Sequence, residues 1–332
     1  MSADLQYPHS TETESACSFA EADIRGLQVV LDPCQLGRHL DPILSPQWGV
    51  LGDIQLKVLK HHRGSRCTID ITLETTTGKH ELIGKLYAED RSDVYRAMKQ
   101  ISQAGFGPAE FSIPQPFAYL SELNLLLQEK VQGPLAREIF SNGNESEQAS
   151  AAERCAHWLA HFHNQAPKQG PLFHFSNEVR EYWGRRMAKR AAKAGPLSER
   201  ATLLMQRLER AAPALDRSEM CACHGGYSHH QIITTETGTV TFDWDNYRVT
   251  DPTWDVARFI ISLQKLALRK LGSLTALDGI GEVFYKTYTA ISRFEVNKNL
   301  PFYKAAHCLK RVRKDRFEPI LDEGLRILAE EM

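Results

Sequence analysis

The sequence lacks an excess of charge of either sign, because 40 lysines and arginines stand against 41 aspartates and glutamates. A balanced chain gives no electrostatic reason to expect nucleic acid or an anionic membrane as its partner. Long apolar runs are also missing. The stretch FIISLQKLALRKL, residues 259–271, is too short and too charged to span a bilayer. The sequence therefore predicts a small molecule or a protein as the partner, with no nucleic acid and no membrane.

The cysteines do not form the pattern of a secreted, disulfide-rich protein. They are seven in number, which is odd, and they are scattered along the chain. The first twenty residues are polar and acidic, without the apolar segment of a secretory signal. We therefore expect reduced thiols and a cytoplasmic location. Cys221 and Cys223 have the spacing that puts both side chains on one face of a strand, but no second cysteine pair accompanies them, so buried strand cysteines are expected.

Strand-like segments fill the chain up to residue 130. Four runs are rich in β-branched and alternating residues, at 54–60, 67–75, 81–87 and 124–131. The turn sequences HHRGS and TTTGK separate the first three, so a small antiparallel sheet is predicted. One helix is predicted among the strands, where Val94, Tyr95, Met98 and Ile101 recur at helical spacing behind Ser92 as the N-cap.

Helices dominate the prediction after residue 130. A Ser150-x-x-Glu153 pair predicts a capping box at the start of one helix, and Asp251 followed by Pro252 predicts the start of another. With 332 residues, 42% of them hydrophobic, the chain is long enough for one large two-lobed unit or two ordinary domains. We expect a flexible tail and two lobes, over residues 1–22, 23–130 and 131–332.

A compound motif occupies the segment from His224 to Ala257. Its three parts are HGGYSHHQ at 224–231, TFDWD at 241–245 and DPTWDVA at 251–257. In order, spacing and the proline, this segment resembles the signature of the aminoglycoside phosphotransferase and choline kinase-like family. The resemblance covers roughly residues 48 to 265. It implies an α+β, bilobal, protein-kinase-like fold, with a small antiparallel-sheet N-terminal lobe and a larger helical C-terminal lobe.

The resemblance also implies ATP and Mg²⁺ as ligands. Hard Mg²⁺ prefers oxygen ligands, so we expect the Asp243 carboxylate and the Gln231 side-chain carbonyl to hold it. The alternatives are a turn-forming aspartate and an exposed strand residue. We expect structural roles for two further aspartates: Asp251 would cap its helix, and Asp255 would hold the backbone of the loop that begins at His224.

In the N-terminal lobe, the resemblance assigns Lys85 to the α- and β-phosphates of ATP. The alternative is an edge-strand lysine that faces water. Gly64, in the turn between the first two strands, would let the backbone approach the phosphates. Main-chain groups near Gln128, Glu129 and Lys130 would contact adenine.

Gly226 is the departure from the family pattern. The family has an aspartate there that accepts or orients the proton of the attacking hydroxyl. Such a base contributes about 10² to 10⁴ in rate, whereas positioning and charge neutralisation carry most of phosphoryl transfer. The candidates for a replacement base are His229, His230, Asp245 and Tyr227. Two functions stay open: phosphorylation of a hydroxyl on a small-molecule acceptor, and a pseudokinase that binds Mg-ATP and acts on a protein partner.

Overall fold

The structure is a computed structural model, and it describes residues 24–174, 196–215, 219–309 and 318–331. The predicted tail, residues 1–22, lies outside the described residues. The described residues up to Gly133 form one compact unit, and those from Pro134 onward form a second. Within these ranges, no helix combines the length and the apolar character that crossing a membrane requires.

A five-stranded antiparallel sheet forms the centre of the first unit, in the order β1-β2-β3-β6-β5. The strands of this unit are β1 (Leu51–His62), β2 (Arg66–Thr75), β3 (Gly78–Tyr87), β4 (Phe111–Ser112), β5 (Pro116–Leu120) and β6 (Leu125–Glu129). The four predicted strand segments correspond to β1, β2, β3 and β6, so the predicted sheet is confirmed. The sequence did not indicate β5, because it is short, begins with a proline and contains no β-branched residue.

Three α-helices accompany this sheet: α1 (Leu27–Leu31), α2 (Pro33–Trp48) and α3 (Ser92–Ile101). Helix α2 was not predicted from the sequence, and it contains Pro42 and Pro46. It forms because Leu36, Leu40 and Leu44 recur every fourth residue and are all buried. The predicted α3 is confirmed, but its cap is different. Ser92 is the first helical residue, and the Asp90 carboxylate accepts the Ser92 N–H at 2.9 Å.

The second unit is mainly helical, as predicted. Its helices are α4 (Ala136–Asn142), α5 (Glu145–Gln165), α6 (Pro196–Ala211), α7 (Thr253–Lys270), α8 (Asp278–Ile291), α9 (Leu300–Cys308) and α10 (Glu318–Glu330). Four short strands complete the described part: β7 (Cys221–Cys223), β8 (Ile232–Thr234), β9 (Thr239–Thr241) and β10 (Arg248–Thr250). They pair antiparallel as β8 with β9 and as β7 with β10. Stacked rings of Trp158, Phe162 and Tyr227 join α5 to the segment after β7.

The start of α5 differs from the prediction. Asn144 caps the helix in a capping box, in which its side chain accepts the Glu147 N–H at 3.0 Å and the Glu147 carboxylate accepts the Asn144 N–H at 2.8 Å. The predicted box at Ser150 is wrong, because that residue lies inside the helix. For α7, the predicted start is one residue too early, because the helix begins at Thr253 and Pro252 is its N-cap. The Asp251 carboxylate, one residue before the cap, still accepts the Thr253 N–H at 2.8 Å.

Candidate functional site

The loop from His224 to Gln231 is anchored by a buried carboxylate. Asp255 in α7 is fully buried, and its Oδ2 accepts the N–H groups of His224 at 2.7 Å and Gly225 at 3.3 Å. Burial opposes ionisation of this carboxyl. The nearby His163 imidazole and the His224 amide outweigh that effect, so the pKa of Asp255 lies below its ordinary value. The predicted role of Asp255, to hold the loop backbone, is confirmed.

Gly225 is required by the local geometry. Its φ is +72°, and a Cβ at this position would lie 2.0 Å from the backbone oxygen of Asn246. The Gly225 carbonyl also accepts the indole N–H of Trp254 at 3.1 Å. A side chain here would combine an unfavourable left-handed backbone with a backbone clash, so only glycine fits.

The next glycine, Gly226, is under no such constraint. Its φ lies outside the left-handed region, and the nearest atom to an added Cβ would be His224 Nδ1, at an ordinary contact distance of 3.4 Å. The Gly226 N–H donates to that nitrogen at 3.2 Å, and the Gly226 carbonyl accepts from Arg258 Nε at 3.4 Å. Position 226 can therefore hold a side chain in this fold.

Gln231 and Asp243 lie at the same end of the β8–β9 hairpin. The Phe242 N–H donates to the Gln231 main-chain carbonyl at 2.9 Å. Asp243 is the next residue after Phe242, so its backbone is close to that of Gln231. The Gln231 amide nitrogen points to the backbone oxygens of Gly226 at 3.1 Å and Ser228 at 3.3 Å, since the opposite orientation would bring its oxygen against acceptors. This orientation turns the amide oxygen away from the loop carbonyls, as a metal ligand requires.

Asp243 has an uncommon backbone conformation. It is half-buried and left-handed, with φ 73° and ψ 61°, between β9 and a single 3₁₀ turn at Trp244–Asn246. Left-handed backbone costs most residues about 1–2 kcal/mol, although aspartate tolerates it better than most. Carboxylate and amide oxygens are the hard donors that suit Mg²⁺, so the chemistry of Asp243 and Gln231 fits that ion.

Two of the four candidate bases are enclosed in the protein. Tyr227 is fully buried, and its hydroxyl donates to the Cys155 carbonyl at 2.7 Å, so it is directed into the core. Burial also raises the pKa of Tyr227 well above its ordinary value. His229 is 1% exposed, with Nδ1 2.9 Å from the Ser262 hydroxyl. Burial, reinforced by the neighbouring His230, lowers the pKa of His229 well below its ordinary value.

The other two candidates are half-buried. The His230 ring lies beside that of His229, with ring centroids 4.1 Å apart. Asp245 is on the 3₁₀ turn that directly follows Asp243. His230 and Asp245 are therefore more accessible to solvent than Tyr227 and His229.

In the first unit, Lys85 lies on the central strand of the sheet. Its cross-strand partners are Thr68 on β2 and Leu126 on β6, and it is only 5% exposed. The alternative, an edge-strand lysine that faces water, is excluded by this position. A lysine is rarely buried without a polar partner for its ammonium group.

Gly64 is in the turn between β1 and β2. Its φ is +63°, and no atom lies within 4 Å of the position that a Cβ would take. Glycine is thus favoured by the backbone conformation, and the space beside it is open.

The segment predicted to contact adenine spans the end of β6. Gln128 is buried in the strand, and the Glu129 N–H donates to the Gln115 carbonyl at 2.9 Å. The Lys130 ammonium lies 2.9 Å from carboxylate oxygens of both Asp70 and Glu81.

Burial lowers the pKa of Lys130, but the hydrogen bonds to these two carboxylates outweigh it and leave the pKa raised. The Lys130 side chain is therefore engaged within the first unit, which leaves its main chain for the predicted contact.

Two contacts to the loop were not predicted from the sequence. They are made by the indole of Trp254 to Gly225 and by the guanidinium of Arg258 to Gly226. Both residues are within one turn of Asp255 on α7. Trp254 lies inside the recognised motif, and Arg258 directly follows it. Helical spacing places residues three or four apart on one face, which is the signal that could have indicated Arg258.

Comparison with known proteins gives one family match. Residues 74–272, more than half of the chain, match the sequence profile of the phosphotransferase enzyme family, abbreviated APH. No curated protein sequence matches the chain.

Among solved structures, the choline kinase LicA from Streptococcus pneumoniae is similar at 13% identity and a TM-score of 0.59, over 89% of this chain and 99% of that chain. A choline/ethanolamine kinase family protein from Mesorhizobium loti matches at 13% identity and a TM-score of 0.57, over 91% and 92%. Amicoumacin kinase hAmiN, solved in complex with AMP-PNP, Ca²⁺ and Ami, matches at 13% identity and a TM-score of 0.58, over 83% and 88%.

At such low identity these likenesses show the fold alone, and they confirm the predicted α+β, kinase-like fold with its antiparallel sheet. The family follows from the sequence profile, which also agrees with the motif recognised at residues 224–257. The chain is therefore a member of the phosphotransferase enzyme family.

Proposed function

We propose that this protein transfers the γ-phosphoryl group of ATP, as its Mg²⁺ complex, to a hydroxyl group of a small molecule. The observation that carries the proposal is the arrangement of the second unit, in which Asp255 anchors the loop and Gln231 lies beside Asp243 at the hairpin end. Family membership supports phosphotransfer. The complex of hAmiN with AMP-PNP and Ca²⁺ supports the use of a nucleotide and a divalent cation.

In this proposal, Asp243 and Gln231 hold Mg²⁺, which when bound neutralises charge on the transferred phosphate. Asp243 keeps a carboxylate at a left-handed position, where glycine would be easier for the backbone. The Gln231 amide contributes its oxygen, because its nitrogen is directed to the carbonyls of Gly226 and Ser228.

Residues of the first unit bind the nucleotide in the same proposal. Lys85 contacts the α- and β-phosphates as a fixed charge, its stem packed within the sheet. The turn at Gly64 offers main-chain N–H groups to the phosphates. The main chain of Gln128, Glu129 and Lys130 contacts adenine.

The proton of the acceptor hydroxyl needs a destination, because Gly226 has no side chain. We propose Asp245 as the group that receives it, since this carboxylate is half-buried and follows the proposed metal ligand. His229 is the second candidate, with a low pKa that keeps its imidazole neutral. Charge neutralisation and positioning would supply most of the remaining catalysis.

A second function is favoured by Gly226 itself. The fold can hold a side chain at this position, yet the sequence has none. A protein that binds Mg-ATP without turnover, and uses it to stabilise a surface for a protein partner, accounts for that absence.

The test is a calorimetric titration of ATP with and without Mg²⁺, followed by a screen for ADP release over sugars, aminoglycosides and amino alcohols. Mg²⁺-dependent binding together with acceptor-dependent ADP release supports the phosphotransferase. Mg²⁺-dependent binding without release for any acceptor supports the ATP-binding regulatory protein. Absence of ATP binding contradicts both. Asp322→Asn, a surface substitution in α10, serves as the matched control for carboxylate loss.

A further inference from the structure

Three metal-ligating side chains meet in the core of the second unit. His163 is on α5, and Cys221 and Cys223 are the ends of β7. One ligand atom from each side chain lies within 4.8 Å of the other two, and all three residues are 0–1% exposed. The sequence showed the cysteine pair but no second pair of ligands. The fold brings His163, about sixty residues earlier in the chain, next to the two cysteines.

The distance between the two sulfurs fits a shared metal ion, and it also fits a hydrogen bond from one thiol to the other. Cys221 Sγ and Cys223 Sγ are 3.6 Å apart. A disulfide would require about 2.05 Å. Two thiolates on a tetrahedral zinc ion, each about 2.3 Å from the metal, are about 3.8 Å apart.

The third side chain has an unsatisfied nitrogen. Nδ1 of His163 lies 2.7 Å from the Tyr288 hydroxyl, whereas Nε2 has no hydrogen-bond partner among the residues that the structure describes. If Nδ1 carries the proton and donates it to Tyr288, then Nε2 presents a lone pair. A hydrogen bond from the other ring nitrogen usually orients a ligating histidine in this way. Nε2 lies 3.5 Å from Asp255 Oδ2 without making a hydrogen bond to it, and a metal ion would satisfy this buried nitrogen.

We propose that His163 Nε2, Cys221 Sγ and Cys223 Sγ bind one Zn²⁺ ion. On binding, the two thiols become thiolates and their protons pass to solvent, while the imidazole stays neutral. The donor set of two sulfurs and one nitrogen suits a soft or borderline ion, and it does not suit Mg²⁺. The proposal is independent of the phosphotransfer function.

The site would be structural, because it lies next to the anchored loop and is closed to solvent. His224 directly follows Cys223, and Asp255 Oδ2 lies 3.5 Å from His163 Nε2 while accepting two loop N–H groups. Asp255 Oδ1 is also buried without a hydrogen-bond partner in the described residues. The ion would join α5 to β7, and the Asp255 carboxylate is the nearby group for a fourth ligand.

A metal-free arrangement is the competing explanation. The Cys223 thiol lies 3.7 Å from the carbonyl oxygens of Thr250 and Asp251 and can donate to them. His163 could in turn carry its proton on Nε2 and pair with Asp255. Both contacts require thiols and a protonated Nε2, so zinc binding and this arrangement exclude each other.

The experiment measures metal content in the full-length protein, purified without metal-affinity resin or chelator. We expect about one equivalent of zinc by inductively coupled plasma mass spectrometry, and a lower melting temperature after removal with a strong chelator. The protein refolded with Co²⁺ should show the absorption of thiolate-to-cobalt charge transfer. Stoichiometric copper in place of zinc, or no stoichiometric metal and no cobalt spectrum, would overturn the proposal.

Variants identify the ligands. The double substitution Cys221→Ser, Cys223→Ser should lower the metal content to less than about a tenth of an equivalent, and Tyr288→Phe should weaken zinc affinity by about 10- to 100-fold. The matched control is Cys155→Ala, a buried cysteine on the same helix as His163, which should keep the metal. Circular dichroism verifies folding. Zinc retained in the folded double variant would assign the metal elsewhere and contradict the proposal.

Discussion

Two adjacent glycines in the loop of the second unit differ in the space available for a side chain and in their backbone conformation. At Gly225, a Cβ would lie 2.0 Å from the backbone oxygen of Asn246, on a backbone with φ +72°. At Gly226, a Cβ would meet nothing closer than 3.4 Å, on a backbone outside the left-handed region. Gly225 is therefore explained by geometry, and Gly226 is not.

The comparison separates residues that the fold requires from residues that it merely permits. The anchoring carboxylate of Asp255 belongs with Gly225, because it satisfies two buried amides. Asp243 and Lys85, like Gly226, are residues that the fold permits but does not require. We propose functional roles for both: Asp243 has a left-handed backbone, and Lys85 is buried inside a sheet. The expected effects of substitution differ accordingly.

The largest effect is expected from Gly226→Asp. If the loop is a phosphotransferase site that lacks its base, the new carboxylate should raise turnover by up to about 10²- to 10⁴-fold. Because φ is ordinary and the Cβ has room, the free energy of unfolding should change by less than about 1 kcal/mol. The measurements are acceptor-dependent ADP release, ATP affinity and the melting temperature.

The control for this change is Gly226→Asn, which adds a side chain of nearly the same shape without a basic carboxylate. It should fold as well and gain no rate. A folded, ATP-binding Gly226→Asp variant with no increase in turnover would contradict the missing-base explanation. The ATP-binding regulatory function would then be preferred.

The second prediction concerns Gly225→Ala, which we expect to lower the free energy of unfolding by about 3 kcal/mol or more. The left-handed backbone contributes about 1–2 kcal/mol of that loss, and the overlap with the Asn246 carbonyl contributes the rest. Chemical denaturation provides the measurement.

A matched control is Gly272→Ala. This glycine has nearly the same φ, +74°, but nothing lies within 4 Å of its Cβ position. Its free energy of unfolding should fall only by the cost of the left-handed backbone, about 1–2 kcal/mol. Equal losses for the two variants would show that the clash at Gly225 relaxes and that the two loop glycines differ less than the geometry indicates.

The third prediction is that Asp243→Asn weakens ATP binding at least about tenfold in the presence of Mg²⁺, equivalent to about 1.4 kcal/mol. Asparagine tolerates left-handed backbone, so the fold should be unchanged while the charge is lost. Without Mg²⁺, the variant and the unaltered protein should bind ATP equally. Calorimetry that finds no Mg²⁺ dependence in the unaltered protein would contradict the assigned site, with Asp322→Asn as the surface control.

The smallest effect is expected from Lys85→Met. Methionine fills the same space in the sheet and carries no charge, so ATP affinity should fall by roughly three- to tenfold while adenosine affinity stays the same. Lys99→Met, an exposed position on α3, is the control. Equal weakening of ATP and adenosine would indicate a packing role for Lys85 and remove it from the group of functional residues.

The sequence alone determined what depends on local order. Alternating apolar residues predicted β1, β2, β3 and β6, because the alternation that buries one face of a strand is set by neighbouring residues. The loop, hairpin and helix motif identified the family, since its parts are close along the chain. Local patterns failed where they conflicted, as in α2, where two prolines concealed a helix held by three buried leucines.

Only the tertiary structure decided what depends on residues far apart in the chain. The clash that makes Gly225 obligatory comes from Asn246, and the freedom of Gly226 follows from the space around it. No local pattern distinguishes two consecutive glycines. In the same way, His163 joins Cys221 only because α5 packs against β7. Such contacts arise when a buried core brings distant elements together, and a sequence pattern cannot report them because it describes neighbours along the chain.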